Sequence, residues 1–365
     1  MTIRLFAVIA LVGVGILEPY PSVTASRHAA SVTESAVLLV RVVEATSGQP
    51  LPNAEIIDLD ASSHRFTNGD GEARISWPDR GRLRLRVRQL GFQFEDRELV
   101  RPAAPEALLD TATFALSRVA YMLPDVATRA TTHCATDADP ATKALAAVAL
   151  GQLRMSAERY ESFRKAYPFR IKQKRRTIHF NRNGGARDVR EGTEDETSSG
   201  WGEPYRPGGV IDRNAAGFSV PLLFLSALAD SVFWEHHCFA VRGVESLLGG
   251  RVLHLDFEPS LSVTTVDWMG TAFIDSATSV LRRVQFQLAG LLDTDVPHRL
   301  EGYTTFRSPS PFIVVPDTTV AMWWHRDVSA YEGAWKGPDT VQLLELLTVT
   351  YGKRKPPPGD DRRRR

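Results

Sequence analysis

The histidines and carboxylates near the end of the chain contain one pattern that could bind zinc. His298-Arg299-Leu300-Glu301 has the His-x-x-Glu spacing of a zinc carboxypeptidase, and His325 could supply a third ligand. Two imidazoles and a carboxylate leave one position open for a hydrolytic water. Matches this short also arise by chance, and the sequence lacks the alternating helices and parallel strands of a peptidase fold. We keep a zinc carboxypeptidase-type hydrolase as an alternative, and we predict no enzyme and no cofactor.

Two further groups of side chains could bind a ligand. A basic run between Arg170 and Arg190 could hold an anionic polymer, although the interleaved Ile171 and Ile178 also fit a strand with one solvated face. Adjacent tryptophans could stack on sugar rings, although a tryptophan on a strand is more often part of a core. The candidate binding residues are Lys172, Lys174, Arg175, Arg176, Trp323 and Trp324.

The chain has two cysteines, Cys134 and Cys238, the minimum for one disulfide in an oxidising compartment. The alternative is two unrelated buried thiols. We predict the disulfide, because residues 1–25 resemble a secretory signal. A positive charge at Arg4 precedes an apolar run, and small residues stand before the expected cleavage site after Ala25.

Composition excludes some classes of protein. The 365 residues are 43% hydrophobic and 24% charged, with a net charge of +1. A disordered chain and a strongly basic nucleic-acid binder are therefore not expected. No later segment is apolar enough for a membrane-spanning helix. We predict a protein exported to the periplasm, the outer envelope or the extracellular space.

Three regions follow the signal sequence at 1–25, and residues 353–365 form a basic tail expected to be disordered. Short alternating runs across 33–120 predict a β-sandwich. Residues 121–168 read as a linker with an amphipathic helix from Asp139 to Tyr167. Residues 169–352 read as an antiparallel β domain, a curved sheet or half-barrel, with a long loop at Gly184–Gly209. The helix could pack on the concave face of this sheet.

The first of these regions resembles a known family. The run from Val42 to Ala54, with its Thr-Ser-Gly-Gln-Pro-Leu turn, is similar to the opening of the carboxypeptidase regulatory-like domain. Thr67–Ala73 resembles that family's hairpin, and Leu90-Gly91-Phe92 resembles a third element. The resemblance implies a seven-stranded, transthyretin-like sandwich that binds or spaces and carries no catalysis. More weakly, the later β domain is similar to the C-terminal half of exported bacterial proteins with this module, and its topology to lipoprotein-carrier half-barrels.

We therefore predict a mainly β, non-enzymatic cell-envelope protein that binds or scaffolds an unknown envelope protein or glycan. The main alternative is a periplasmic carrier of a lipid or apolar ligand, held in a half-barrel cleft. A carrier requires a large apolar cavity between the sheet and the helix, whereas a zinc hydrolase requires His298, Glu301 and His325 to converge.

Overall fold

The computed structural model describes residues 36–101, 109–121, 140–197, 205–214, 217–219, 225–247, 249–292, 297–325 and 336–352. The predicted signal sequence, Cys134 and the basic tail lie outside these ranges. A small two-sheet unit, a long helix and a large antiparallel sheet follow one another along the described chain. The predicted fold class, mainly β with a small sandwich, a helix and a larger antiparallel sheet, is confirmed.

The first seven strands form two sheets that share one core, here called the sandwich. These strands are β1 (Val37–Glu44), β2 (Glu55–Asp58), β3 (Ser63–Phe66), β4 (Glu72–Ser76), β5 (Arg82–Arg88), β6 (Glu95–Val100) and β7 (Leu109–Leu116). One sheet has the order β4-β1-β7, with β1 and β7 parallel, and the other has the order β3-β2-β5-β6. Leu83, Leu85 and Val87 of β5 are fully buried, because alternate residues of a strand point to one face.

A single long helix, α1 (Pro140–Ala166), follows the sandwich and agrees with the predicted segment. Pro140 suits the first turn because its missing N–H would have no helical partner there. Ala149, Leu153 and Phe163 are fully buried, so the helix turns one apolar face to the rest of the protein.

Nine strands form the larger sheet, and each strand is antiparallel to its neighbours. In chain order the elements after α1 are β8 (Phe169–Phe180), β9 (Ala186–Thr197), β10 (Asp212–Asn214), β11 (Gly217–Ser219), α2 (Leu225–Leu228), α3 (Ser231–His236), β12 (His237–Leu247), β13 (Gly250–Pro259), β14 (Asp267–Asp275), β15 (Leu281–Ala289), β16 (Arg299–Ser310), β17 (Ile313–Trp324) and β18 (Thr340–Tyr351). The order across the sheet is β12-β13-β14-β15-β16-β17-β18-β8-β9. The two strands that follow α1 in the sequence, β8 and β9, therefore join the sheet beside β18, the last strand of the chain.

Strand β9 differs from the sequence prediction, which placed a long loop at Gly184–Gly209. Ala186–Thr197 instead forms an edge strand paired with β8 along its length. Glu191 forms ion pairs with Lys174 and Arg176, and Glu194 forms an ion pair with Arg175. Acidic residues of low β propensity are held in a strand here because the basic neighbouring strand supplies opposite charges.

One apolar core lies between α1 and the larger sheet. Ala149 and Leu153 of the helix belong to the same buried cluster as Leu255, Ile274 and Val284 of the sheet. The predicted packing of the helix against the sheet is thus present, with the side chains of both elements filling the space between them.

Arg159 of α1 joins the helix, the sandwich and the larger sheet. It is fully buried, and its guanidinium donates to the carbonyl oxygen of Asn53 at 2.5 Å and to Gln89 Oε1 at 2.9 Å in the sandwich. It also reaches the carbonyl oxygen of Pro311, in the turn between β16 and β17, at 3.4 Å. Burial lowers the pKa of Arg159 to about 10, so the side chain is protonated at neutral pH.

A second buried arginine, Arg88, also joins the sandwich to α1. Arg88 donates from Nε to Glu55 Oε2 at 2.8 Å within the sandwich and from Nη1 to Glu158 Oε2 at 2.5 Å on α1. Glu55 is fully buried, and its other oxygen lies 2.8 Å from His64 Nδ1. Removing one member of such a network leaves an uncompensated buried charge, which is strongly destabilising.

Arg159→Met tests this junction, because it keeps an apolar side chain of similar length and removes the guanidinium. We expect the free energy of unfolding to fall by about 3 kcal/mol, since two carbonyl oxygens lose their donor and Glu55 loses a nearby positive charge. Urea unfolding followed by fluorescence and circular dichroism measures the loss. Arg154→Met, at an exposed position of the same helix, should change stability by less than about 0.5 kcal/mol. Equal losses in the two variants would contradict the role of Arg159.

Because of Glu55, we expect the folded protein to lose stability in acid. Burial raises the pKa of Glu55, but hydrogen bonds from His64 and Arg88 and the charges of Arg88 and Arg159 outweigh burial, and the net pKa lies below the ordinary 4.5. A carboxyl with a lowered pKa stabilises the fold above its ordinary pKa, and this stability is lost as the pH falls through the folded-state pKa. Glu55→Gln should therefore weaken the dependence of stability on pH below about pH 5. Glu98→Gln, at an exposed acid of the same unit, should leave that dependence unchanged in urea titrations across this range.

Candidate functional site

The larger sheet has one face against α1 and one face away from it. On β15, Val284, Phe286 and Leu288 are buried in the core with the helix. Gln285 and Gln287 alternate with them and are exposed. From Arg283 onward, the period of two therefore assigns the odd-numbered residues of this strand to the side away from α1, here called the outer face. Leu281 lies before a register shift and points into the core.

A groove of about 520 Å³ crosses the outer face. It is centred on Phe257, Gly270, Phe286 and Gly302, which lie opposite one another on adjacent strands. Because the phenylalanine side chains point into the core, this row forms the floor and the outward residues on either side form the walls. The wall and rim residues are Arg242, Met269, Thr271, Arg283, Gln285, Gln287, Glu301, Tyr303 and Met322.

The two glycines make the floor of the groove possible. A Cβ on Gly270 would lie 2.0 Å from the carbonyl oxygen of Gln285, and a Cβ on Gly302 would lie 2.1 Å from that of Val320. On the core side the rings of Phe257 and Phe286 cover these positions, each with Cζ 2.9 Å from where the Cβ would be. Any larger residue would have to displace backbone in the adjacent strand.

Two carboxylates at the groove are each paired with an arginine. Arg242 forms an ion pair with the buried Asp256, which also accepts a hydrogen bond from Thr271 Oγ1 at 2.5 Å. Glu301 accepts from Arg299 Nε at 2.9 Å. These contacts hold the two carboxylates against cations, an arrangement suited to shaping a site rather than to moving protons.

Arg283 differs from the other charged residues. Its guanidinium lies over the ring of Tyr303, 4.3 Å from the ring centre, and its buried Nε has no hydrogen-bond partner. Within the described ranges, no carboxylate forms an ion pair with Arg283. The cation–π contact holds the side chain at the groove without neutralising it.

The structure does not bring together the three residues of the zinc alternative. Glu301 lines the outer groove, bound to Arg299, whereas the ring of His325 is parallel to that of the buried Trp323 at 6.2 Å. The backbone N–H of His298 donates to the carbonyl oxygen of Trp324. No group of three His, Cys, Asp or Glu residues is placed to hold a metal ion in the part of the chain that the structure describes.

The other predicted binding residues are largely occupied by contacts within the protein. Lys174, Arg175 and Arg176 form ion pairs with β9, while Lys172 lies opposite Asp195 in the same hairpin. This hairpin therefore presents mixed charge in place of the open basic surface that the sequence suggested.

The two tryptophans of β17 are also engaged. Trp323 is buried in the core beneath α1. Trp324 is half-buried, with the Arg299 guanidinium 4.7 Å from its ring centre and Nε1 donating to the carbonyl oxygen of Lys336 at 3.3 Å. The adjacent rings therefore do not form a shared platform for a sugar.

Cys238 lies on β12, opposite Glu258 of β13. Its predicted partner Cys134 lies outside the described residues. The disulfide stays a prediction.

A buried polar cluster lies where α3 meets β12 and β14, and the sequence analysis did not single it out. Tyr205 donates to Asp267, and His237 contacts the carbonyl oxygens of Phe233 and Trp268 at 2.9 Å through its two ring nitrogens. Burial raises the pKa of Asp267 and lowers the pKa of His237. Burial and the neighbouring Asp267 also raise the pKa of Tyr205, which keeps its hydroxyl as a donor. The His237 and Asp267 side chains are fully buried, so this cluster ties elements together without access for a substrate.

Sequence reasoning also missed the groove itself. The alternation of Arg283, Gln285 and Gln287 with apolar residues signals a strand with one polar face, and a glycine inside a strand signals a close backbone approach. Neither signal shows that Gly270 and Gly302 share one row, because the register between strands is set by the fold.

No helix among the described residues has both the length and the apolar character needed to span a membrane.

Gly302→Ala tests the tight approach at the floor of the groove. The added Cβ must displace the backbone of β17, so we expect a loss of about 3 kcal/mol in the free energy of unfolding, measured in urea. The matched control is Gly192→Ala on β9, where an added Cβ meets nothing within 4 Å. This control should be neutral or slightly stabilising. A neutral Gly302→Ala would mean that the strands do not approach as described.

Comparison with known proteins finds no matching family model and no matching curated protein. Among solved structures, one described as an outer membrane lipoprotein-sorting protein domain from Vibrio parahaemolyticus has a TM-score of 0.30 at 11% identity, covering 58% of this chain and 95% of that one. A LolA superfamily protein from Nitrosomonas europaea has a TM-score of 0.26 at 9% identity, covering 55% of this chain and 94% of that one. A DUF1329 family protein from Desulfovibrio piger gives 0.27 at 9% identity, covering 57% and 95%. TM-scores this low do not establish a shared fold, so the family of the chain is not assigned.

Proposed function

We propose that this protein is a non-enzymatic, exported binding protein that holds a small amphipathic ligand in the outer groove. The observation that carries the proposal is the groove of about 520 Å³ with mixed polar and apolar walls. Pockets that bind small molecules commonly measure about 300–1,000 Å³ and combine apolar surface with a few polar groups.

The lining of the groove favours an amphipathic ligand over a purely polar one. Met269 and Met322 stand at the two ends of one wall, with Gln287 and the ion-paired Glu301 between them, and methionine adapts its flexible side chain to apolar ligands of varied shape. Thr271, Gln285 and Tyr303 stand in the opposite wall and offer hydrogen bonds. A ligand with an apolar body and polar groups on one side matches both walls.

The direction of the groove favours an extended ligand. Its lining comes from the six strands β12 to β17, and adjacent strands lie about 4.8 Å apart, so a ligand crossing all six spans about 24 Å. This length suits a flexible chain better than a compact ring.

The carrier alternative drawn from the sequence is thereby modified. A cleft between the sheet and α1 was the expected site, but the described side chains on that face pack against one another as a core. The proposed ligand site is on the opposite face. Export, a place in the cell envelope and a binding or spacing role for the sandwich remain part of the proposal, supported by the sequence features of residues 1–25 and 42–92.

Gln285→Trp tests the location of the site. Gln285 is exposed in the middle of one wall, so an indole there should obstruct the groove and leave the core unchanged. We expect the affinity for a neutral amphiphile, decanol, to fall at least roughly tenfold, or about 1.4 kcal/mol, in a fluorescent-probe displacement assay.

Thr348→Trp is the matched control, because Thr348 is exposed on β18 outside the groove. It should bind decanol as the wild-type protein does. Equal affinities in all three proteins would move the ligand away from the groove, and no binding of decanol or of decanoate by the wild-type protein would remove the proposed function.

A further inference from the structure

We infer that the ligand of the outer groove carries an anionic group and that Arg283 binds it. This inference rests on the proposed function and specifies the chemical class of the ligand. It concerns an amphiphile whose apolar chain lies along the groove and whose head is a carboxylate or a phosphate monoester.

The position of Arg283 is the first step of the argument. It lies on β15 opposite Phe273 of β14 and Thr305 of β16, one outward position beyond Gln285 and therefore behind the middle of the polar wall. Its guanidinium packs on Tyr303, and a guanidinium stacked on an aromatic ring keeps its in-plane N–H donors available for an oxyanion. The ring therefore orients Arg283 without using its hydrogen bonds.

The charge balance at the groove is the second step. Arg242 is paired with Asp256, and Glu301 is paired with Arg299. Arg283 has no such partner within the described ranges, and its Nε is buried without a hydrogen bond. A partly desolvated cation without a counter-charge is unfavourable in the empty protein, and a ligand anion relieves that cost.

The geometry of the guanidinium is the third step. Its planar fork matches the two oxygens of a carboxylate or phosphate, whereas a sugar hydroxyl or a neutral alcohol offers no charge to it. Met269 and Met322 stand in the wall on the other side of the floor, so an anionic head on an apolar chain matches both the Arg283 cation and the apolar part of the lining.

The experiment compares four probes on the full mature chain: decanoate, decyl phosphate, decanol and inorganic phosphate. Isothermal titration of each probe at neutral pH gives its affinity for the wild-type protein and for Arg283→Gln. We expect both anionic amphiphiles to bind the wild type at least roughly tenfold more tightly than decanol, and Arg283→Gln to bind the anions no more tightly than it binds decanol. The tighter of the two anions then identifies a carboxylate or a phosphate as the natural head.

Two further variants distinguish loss of the Arg283 charge from a general loss of folding. Arg283→Lys retains the charge and should preserve part of the preference for anions. Arg251→Gln, at an exposed arginine on β13 outside the groove lining, should behave as the wild type. Urea unfolding of each variant checks that the fold is retained.

The outcomes separate this inference from the proposed function. If decanol binds the wild type as tightly as the anions do, or if Arg283→Gln weakens all amphiphiles equally, the inference is overturned and the groove remains a binding site. If inorganic phosphate binds as tightly as decyl phosphate and loses affinity in Arg283→Gln, the anion site stands and the amphipathic ligand is wrong. If no probe binds, both are overturned.

Discussion

The burial of one positive charge at Arg159 organises the whole described structure. A fully buried guanidinium must find acceptors, and here they come from a turn of the sandwich, a side chain of the same unit and a turn of the larger sheet. Arg88 adds a second connection, because it forms ion pairs with Glu55 in the sandwich and with Glu158 on α1. One set of hydrogen bonds from Arg159 and Arg88 therefore connects α1 to the sandwich, and Arg159 also connects it to the larger sheet.

The placement of α1 then determines what each face of the larger sheet can do. One face is filled by the helix and has become core, with Ile274, Val284 and Phe286 among its buried residues. The other face carries the groove. Two glycines in one row let the backbone approach closely there, and two phenylalanines fill the core side of the same row. Packing on one face and a recess on the other thus arise from the same four residues.

Local patterns predicted much of this architecture. The alternation in β5 and Pro140 at the start of α1 could be read from the residues themselves. The strand character of β9 could not, because its acidic residues are strand-compatible only beside the cations of β8. The groove was missed for a similar reason. Gly270 and Gly302 are thirty-two positions apart in sequence, and only the register of β14, β15 and β16 places them in one row. His298 and Glu301 show the reverse case. Their spacing in the sequence offered a shared metal ion as an alternative, and among the described residues the sheet does not group them with a third ligand.

The two-faced sheet has a consequence for how this protein can diverge. Residues such as Gln285, Gln287 and Met322 project from the strands into the groove, while their sequence neighbours hold the core. Substitutions at the outward positions can alter the shape and polarity of the recess at little cost to stability, because surface changes are usually nearly neutral. Gly270 and Gly302 are the exception, since any larger side chain there strains the backbone. Related chains could therefore recognise different small molecules on an unchanged scaffold, provided that this pair of glycines is retained.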